Sequence, residues 1–211
     1  MRLPWILAAA LLASGCGLHT VDGEVFRDMT VDKKLRLFEA ENDVSIAEDE
    51  RDQMRDRARE IKQDIHTAAQ EQRAAEKSDD DEKGKLLGLA ARMWEQRGVY
   101  LRESLDYLRS RMDAQDAVID LARAKFELAK ALLIKKNKLQ GADGIDIKDF
   151  ERQVSTYSER MRVAMAGLDR VKAKVEKSRA EWLKLRDDLS ASSLEGSATP
   201  GADEIPVWES W

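Results

Sequence analysis

From residue 30 onward, apolar side chains return at alternating steps of three and four. The first series is Leu37, Ala40, Val44, Ala47, Arg51, Met54, Ala58, Ile61, Ile65, Ala68, Gln72 and Ala75, interrupted only by Arg51 and Gln72. The second is Leu87, Ala91, Trp94, Gly98, Leu101, Leu105, Leu108, Met112, Gln115, Ile119, Ala122, Phe126, Ala129 and Leu133, interrupted at Gly98 and Gln115. The third is Ile147, Phe150, Val154, Tyr157, Met161, Ala164, Leu168, Val171, Val175, Ser178, Trp182, Leu185 and Leu189, interrupted at Ser178. Such spacing puts each series on one stripe of a helix, and stripes this long predict coiled-coil packing. Helices are expected over about 30–77, 85–138 and 146–190, each roughly 65–80 Å long at ~1.5 Å per residue.

The joins set the topology. Gly141-Ala142-Asp143-Gly144 is a cluster of helix breakers, and Asp146 suits the N-cap of the helix that follows. The preceding helix closes on Lys135, Lys136 and Lys138, cations that suit the negative end of its dipole. A tight helix–loop–helix is therefore expected around 139–145. Ser78 to Gly84 has no apolar residue, and the stripe slips phase across it, which favours a turn there. The fold class is all-α: an elongated antiparallel coiled-coil three-helix bundle, with one long bent helix plus a hairpin as the alternative. An antiparallel register that mates large with small places Arg51 beside Gln115, Leu101 by Trp182 near Gly98, Phe126 by Tyr157, and Ala122 by Met161.

Composition narrows the chemistry. Charged residues make up 36% of the chain, aromatics 6%, and the net charge is −5. The charges fill the faces away from the stripes, so they read as a solvated surface, with no basic stripe for nucleic acid. One cysteine excludes an internal disulfide and a multi-thiolate metal site. His19 and His66 show no ligand or catalytic spacing, and Asp143 to Glu151 fails the register of a calcium loop. No catalytic, cofactor or metal residues are assigned, and the chain is expected not to be an enzyme.

The first sixteen residues read as an address. Met1-Arg2 is a basic start and Leu3 to Leu12 a mostly apolar run, shorter than the ~20 residues of a membrane-spanning helix. Ala13-Ser14-Gly15 are small, and Cys16 follows. Leu12-Ala13-Ser14-Gly15-Cys16 resembles the lipobox of bacterial lipoproteins, with Ala13 where that family usually has Leu. The resemblance implies removal of 1–15, lipidation of Cys16, and a membrane anchor on the periplasmic face. Gly17 in place of Asp implies, by the same resemblance, the outer membrane. Residues 16–29 are then expected as a lipidated tether.

Residues 191–211 change character. Four acids (Glu195, Asp203, Glu204, Glu209), two prolines and no Lys or Arg predict a disordered acidic tail. Its end, Ile205-Pro206-Val207-Trp208-Glu209-Ser210-Trp211, reads as a short partner-binding motif through Trp208 and Trp211, or as a segment packed back onto the helices.

Ala124-Lys125-Phe126-Glu127-Leu128-Ala129-Lys130, Gly144-Ile145-Asp146-Ile147 and Phe150-Glu151 resemble the helical hairpin of periplasmic membrane-fusion proteins and TolC-like channels. The lipoyl and β-barrel segments of those proteins are missing, so the resemblance implies shape. The expected function is a lipid-anchored scaffold or adaptor of the cell envelope with a protein partner. The alternatives are a holdase chaperone resembling Skp in its helical arms, and an accessory to an efflux or secretion assembly acting through the tip at 139–146. A homo-oligomer is equally open, because a long stripe can be satisfied within one chain or across two.

Overall fold

The computed structural model describes residues 18–77 and 84–193. The leader, Cys16, most of the expected turn at 78–84, and the tail from residue 194 lie outside the described residues. Among the described residues the protein is all-α. It has three long helices packed antiparallel: α1 (Val31–Lys77), α2 (Gly84–Asn137), and a third that comes in two pieces, α3 (Ile147–Ala166) and α4 (Leu168–Ser193). Two short 3-10 turns precede α1 and α3, Gly23–Phe26 and Ala142–Gly144. None of the described helices is long and apolar enough to cross a membrane.

The chain divides into two compact units, Met1–Glu48 with Ala117–Met161, and Asp49–Asp116 with Arg162–Trp211. In the second, Ala58, Ile61 and Ala68 of α1 meet Met93, Trp94, Leu101, Leu105 and Leu108 of α2, and Trp182 and Leu189 of α4 complete the cluster. Tyr100 stacks on Trp182, ring centroids 5.5 Å apart and planes 4° from parallel. Burying each such large side chain contributes about 1.5–3 kcal/mol. In the first unit, Leu37 of α1 packs with Phe26 and Ile134, and Tyr157 of α3 packs with Leu121 and Ala124 of α2.

Every residue of the first stripe is buried or half-buried, and so is every residue of the second. But α2 is buried along a further stripe that the spacing does not reveal: Met93, Tyr100, Ser104, Ala114, Leu121, Ala124, Ala131 and Ile134. In each unit α2 meets a neighbour on two sides, and one apolar stripe cannot serve both. The expected register of α1 on α2 is kept, with ion and hydrogen-bond partners one residue to either side of Arg51–Gln115. Arg51 pairs with Asp116, and Gln115 donates to Glu50 at 3.0 Å. Trp182 shares its cluster with Leu101, as expected, and in addition stacks on Tyr100. Tyr157 joins Leu121 and Ala124, whereas Phe126 packs against the cluster of Phe26, Leu37 and Ile134.

Two further differences have local causes. The third stripe runs straight through residue 167, yet Gly167 divides α3 from α4. Glycine costs about 1 kcal/mol in a helix interior relative to Ala. The flanking Val163 and Met165 are exposed, so little packing opposes the break. Residues 18–28, expected as part of a tether, are instead a strap lying on the first unit. Phe26 is buried there, with Val21, Val25 and Met29 packed around its cluster, and Leu18 packs beside Tyr157. Five apolar residues without helical periodicity carry no stripe, so the sequence pattern misses them. The C-terminal end of α4 runs to Ser193, just past the expected 190.

The hairpin tip follows the expected chemistry. Asp146 caps α3, its Oδ1 accepting from Lys148 N at 3.0 Å. At the end of α2, Lys138 takes the left-handed conformation (φ 51°). Leu139 N then donates to Ile134 O and Lys138 N to Lys135 O, while Leu139 packs against the Ile134 cluster. Both bonds and the apolar contact define a left-handed helix C-cap, a position where Gly is the unstrained residue. Lys138→Gly is expected to raise stability by about 0.5–1 kcal/mol, measured as an increase in urea midpoint at constant m-value.

Candidate partner-binding groove

The residues expected from sequence to carry function, Cys16 for lipidation and Trp208 and Trp211 for partner binding, all lie outside the described residues. Among the described residues, each unit has a concave site.

In the second unit, α1, α2 and α4 leave a groove of about 430 Å³. Its floor is Met54, Tyr100, Ser104, Tyr107, Leu108 and Val175. Tyr100 is held from behind by Trp182, and Ser104 Oγ donates to Tyr100 O at 2.8 Å, so the floor presents mainly rings and alkyl groups. Four cations rim it, Arg57, Arg111, Lys172 and Arg179, against two acids, Glu50 and Glu176. Glu50 already accepts from Gln115, and Glu176 lies 3.9 Å from Lys172. The rim thus carries two more positive than negative charges in a protein whose net charge is −5. Such a groove suits an occupant with an apolar body and negative charge. The lining has no cysteine or histidine, and its one small hydroxyl, on Ser104, is engaged with the backbone.

Beside this groove, Arg51 spans to Asp116. The hydrogen bond to Asp116 and then the charge of Asp116 hold the Arg51 guanidinium above its ordinary pKa. The pair links α1 to α2 at a partly exposed position.

In the first unit the strap, the tip and α3 enclose a cleft of about 390 Å³. His19 enters it, its ring tilted against Phe150 at 5.8 Å and its backbone N–H donating to Gln153. Three carboxylates line the same cleft, but each has a structural task. Asp22 accepts from Glu24 N, Asp146 caps α3, and Asp149 pairs with Arg152. Among the described residues no group of three or more His, Cys, Asp or Glu could hold a metal ion.

The strap is fastened by a buried carboxylate that the sequence pattern gives no sign of. Glu127 is almost fully buried on α2. Its Oε2 accepts from Val21 N at 2.6 Å and its Oε1 from Lys130 Nζ at 2.7 Å. Lys130 also sits over the Phe126 ring, 4.3 Å from its centroid. Both carboxylate oxygens are thereby satisfied away from water, as a buried charge requires.

No family model, curated protein or solved structure matches this chain. Among the described residues the chain is an all-helical arrangement of three long helices.

Glu127→Leu keeps the bulk but removes the acceptor of Val21 N and the counter-charge of Lys130. A loss of about 2–3 kcal/mol in urea unfolding is expected. Amide exchange over 18–28 should rise well beyond that of α2, which separates a released strap from general loosening.

Proposed function

We propose that the protein is a lipid-anchored scaffold or adaptor of the bacterial cell envelope. Cys16 would carry the lipid on the periplasmic face, at the outer membrane, and the helices would present binding surface to a protein partner. The observation that carries this reading is the order of segments at the start of the chain. A basic start, an apolar run and small residues lead directly to the single cysteine, and helices with charged outer faces follow. Several acyl chains on one residue hold a protein stably at a bilayer, whereas one chain holds it marginally, at ~0.8 kcal/mol per buried CH₂. The tail motif around Trp208 and Trp211 is the proposed contact with the partner.

Replacing Cys16 by Ser is expected to move the protein from the membrane to the soluble fraction and to abolish metabolic labelling with palmitate. Retention in the membrane with unchanged labelling would refute the anchor.

A holdase is the second reading, favoured by one feature of α1. Val31, Leu35, Phe38 and Ile46 share one helix face and are exposed, Val31 by 68% and Phe38 by 44%. Exposed apolar side chains aligned this way suit transient contact with unfolded chains. On that reading, Leu35→Ser with Phe38→Ser should sharply reduce suppression of aggregation of an unfolded outer-membrane protein, measured by light scattering. The scaffold reading expects no suppression to lose.

A further inference from the structure

We propose that the groove of the second unit is the docking site for an acidic, tryptophan-bearing peptide, and that its occupant is the chain's own segment 194–211, seated through Trp208. The inference uses no residue before Glu50 and is independent of the lipid anchor.

Charge is the first argument. The rim cations Arg57, Arg111, Lys172 and Arg179 exceed the rim acids by two, in a chain that is acidic overall. Segment 194–211 carries Glu195, Asp203, Glu204 and Glu209 and has no Lys or Arg. It is the stretch of this sequence with the complementary sign and with exposed-type aromatic side chains beside it. Attraction between such patches guides encounter and sets register.

The floor supplies the second argument. Tyr107, Met54 and Val175 offer apolar contact, and Arg111 and Arg179 stand beside them. Guanidinium groups already accompany a buried indole in this unit: Arg97 and Arg186 lie 5.7 and 5.9 Å from the centroid of Trp182. Arginine on an indole face contributes about 0.5–2 kcal/mol, more when water is excluded. The groove, about 430 Å³, falls in the range of roughly 300–1,000 Å³ that accommodates small organic groups.

Reach is the third. The groove touches α4 at Lys172, Val175, Glu176 and Arg179, and α4 ends at Ser193. Arg179 to Ser193 is about 21 Å and Lys172 to Ser193 about 32 Å, at ~1.5 Å per helical residue. From Ser193 to Trp208 the chain can extend about 50 Å at ~3.3 Å per residue. Trp208 can therefore return along α4 to the groove with slack. Seated there, it would be withheld from an envelope partner until that partner displaced it.

The test is photo-crosslinking in the full chain with Trp208 replaced by p-benzoylphenylalanine, using a mixture of light- and heavy-isotope protein. Expected are adducts to Tyr107, Arg111 or Val175 within single isotopic species. Their yield should fall by about fivefold or more in Arg111→Glu/Lys172→Glu, with the circular dichroism unchanged. High salt on the otherwise unaltered crosslinking protein should lower it similarly, which keeps the charge argument testable if the double variant misfolds. Adducts at other surfaces, adducts joining light to heavy chains, no adduct, or a yield indifferent to both charge reversal and salt would each overturn the proposal.

Discussion

Everything described rests on α2 being buried along two stripes at once. In the second unit it meets α1 through Arg51–Asp116 and Glu50–Gln115, and α4 through Tyr100–Trp182 and Gln96–Glu181. In the first unit it meets α1 through Glu48–Arg123 and α3 through the Tyr157 cluster. A helix held on two sides needs small residues where backbones approach and large ones where they diverge. Ala114, Ala124 and Ala131 are almost wholly enclosed, as are Tyr100, Leu101 and Ile134. The groove is a by-product of the same arrangement: α2 lines it together with both of its neighbours.

Polar groups between helices set alignment more than strength. The many i,i+3 pairs on exposed faces, such as Arg55–Asp52, Arg59–Asp56 and Arg109–Asp106, contribute about 0.2–0.5 kcal/mol each. Arg51 and Gln115 differ in kind. Each interrupts an otherwise apolar stripe, and each finds its partner on the facing helix. Sliding α1 by one heptad would set Arg51 against Arg109 or Arg123 in place of Asp116. Among the described residues two buried polar atoms lack a hydrogen-bond partner, Oε2 of Glu103 and the indole N–H of Trp182. The arginines over its faces act on the ring and not on that proton.

The helices were legible because periodicity reports one face at a time. On α1, which buries a single stripe, the pattern located the enclosed positions and the polar layer, within one residue of the observed pairing. On α2 the same method stopped at half the answer. The second stripe mixes Ala, Ser and Tyr with neighbouring charges, so no run of apolar residues marks it. Gly167 escaped for the opposite reason: the apolar spacing on either side stays in phase, while the break comes from backbone propensity. The groove and the Glu127 fastening could not be read from spacing at all. Both join residues far apart in the chain, as Val21 and Glu127 show. Their chemistry exists only after folding.

The strap alters what an acylated Cys16 would mean mechanically. Leu18 is already packed beside Tyr157, so only Gly17 separates the ordered body from the cysteine. Two residues extend about 7 Å, close to the thickness of one headgroup layer, roughly 5–8 Å. On so short a line the first unit would stay close to the lipid surface. Freeing the strap at Glu127 would pay out about ten residues of line and enlarge the volume it patrols.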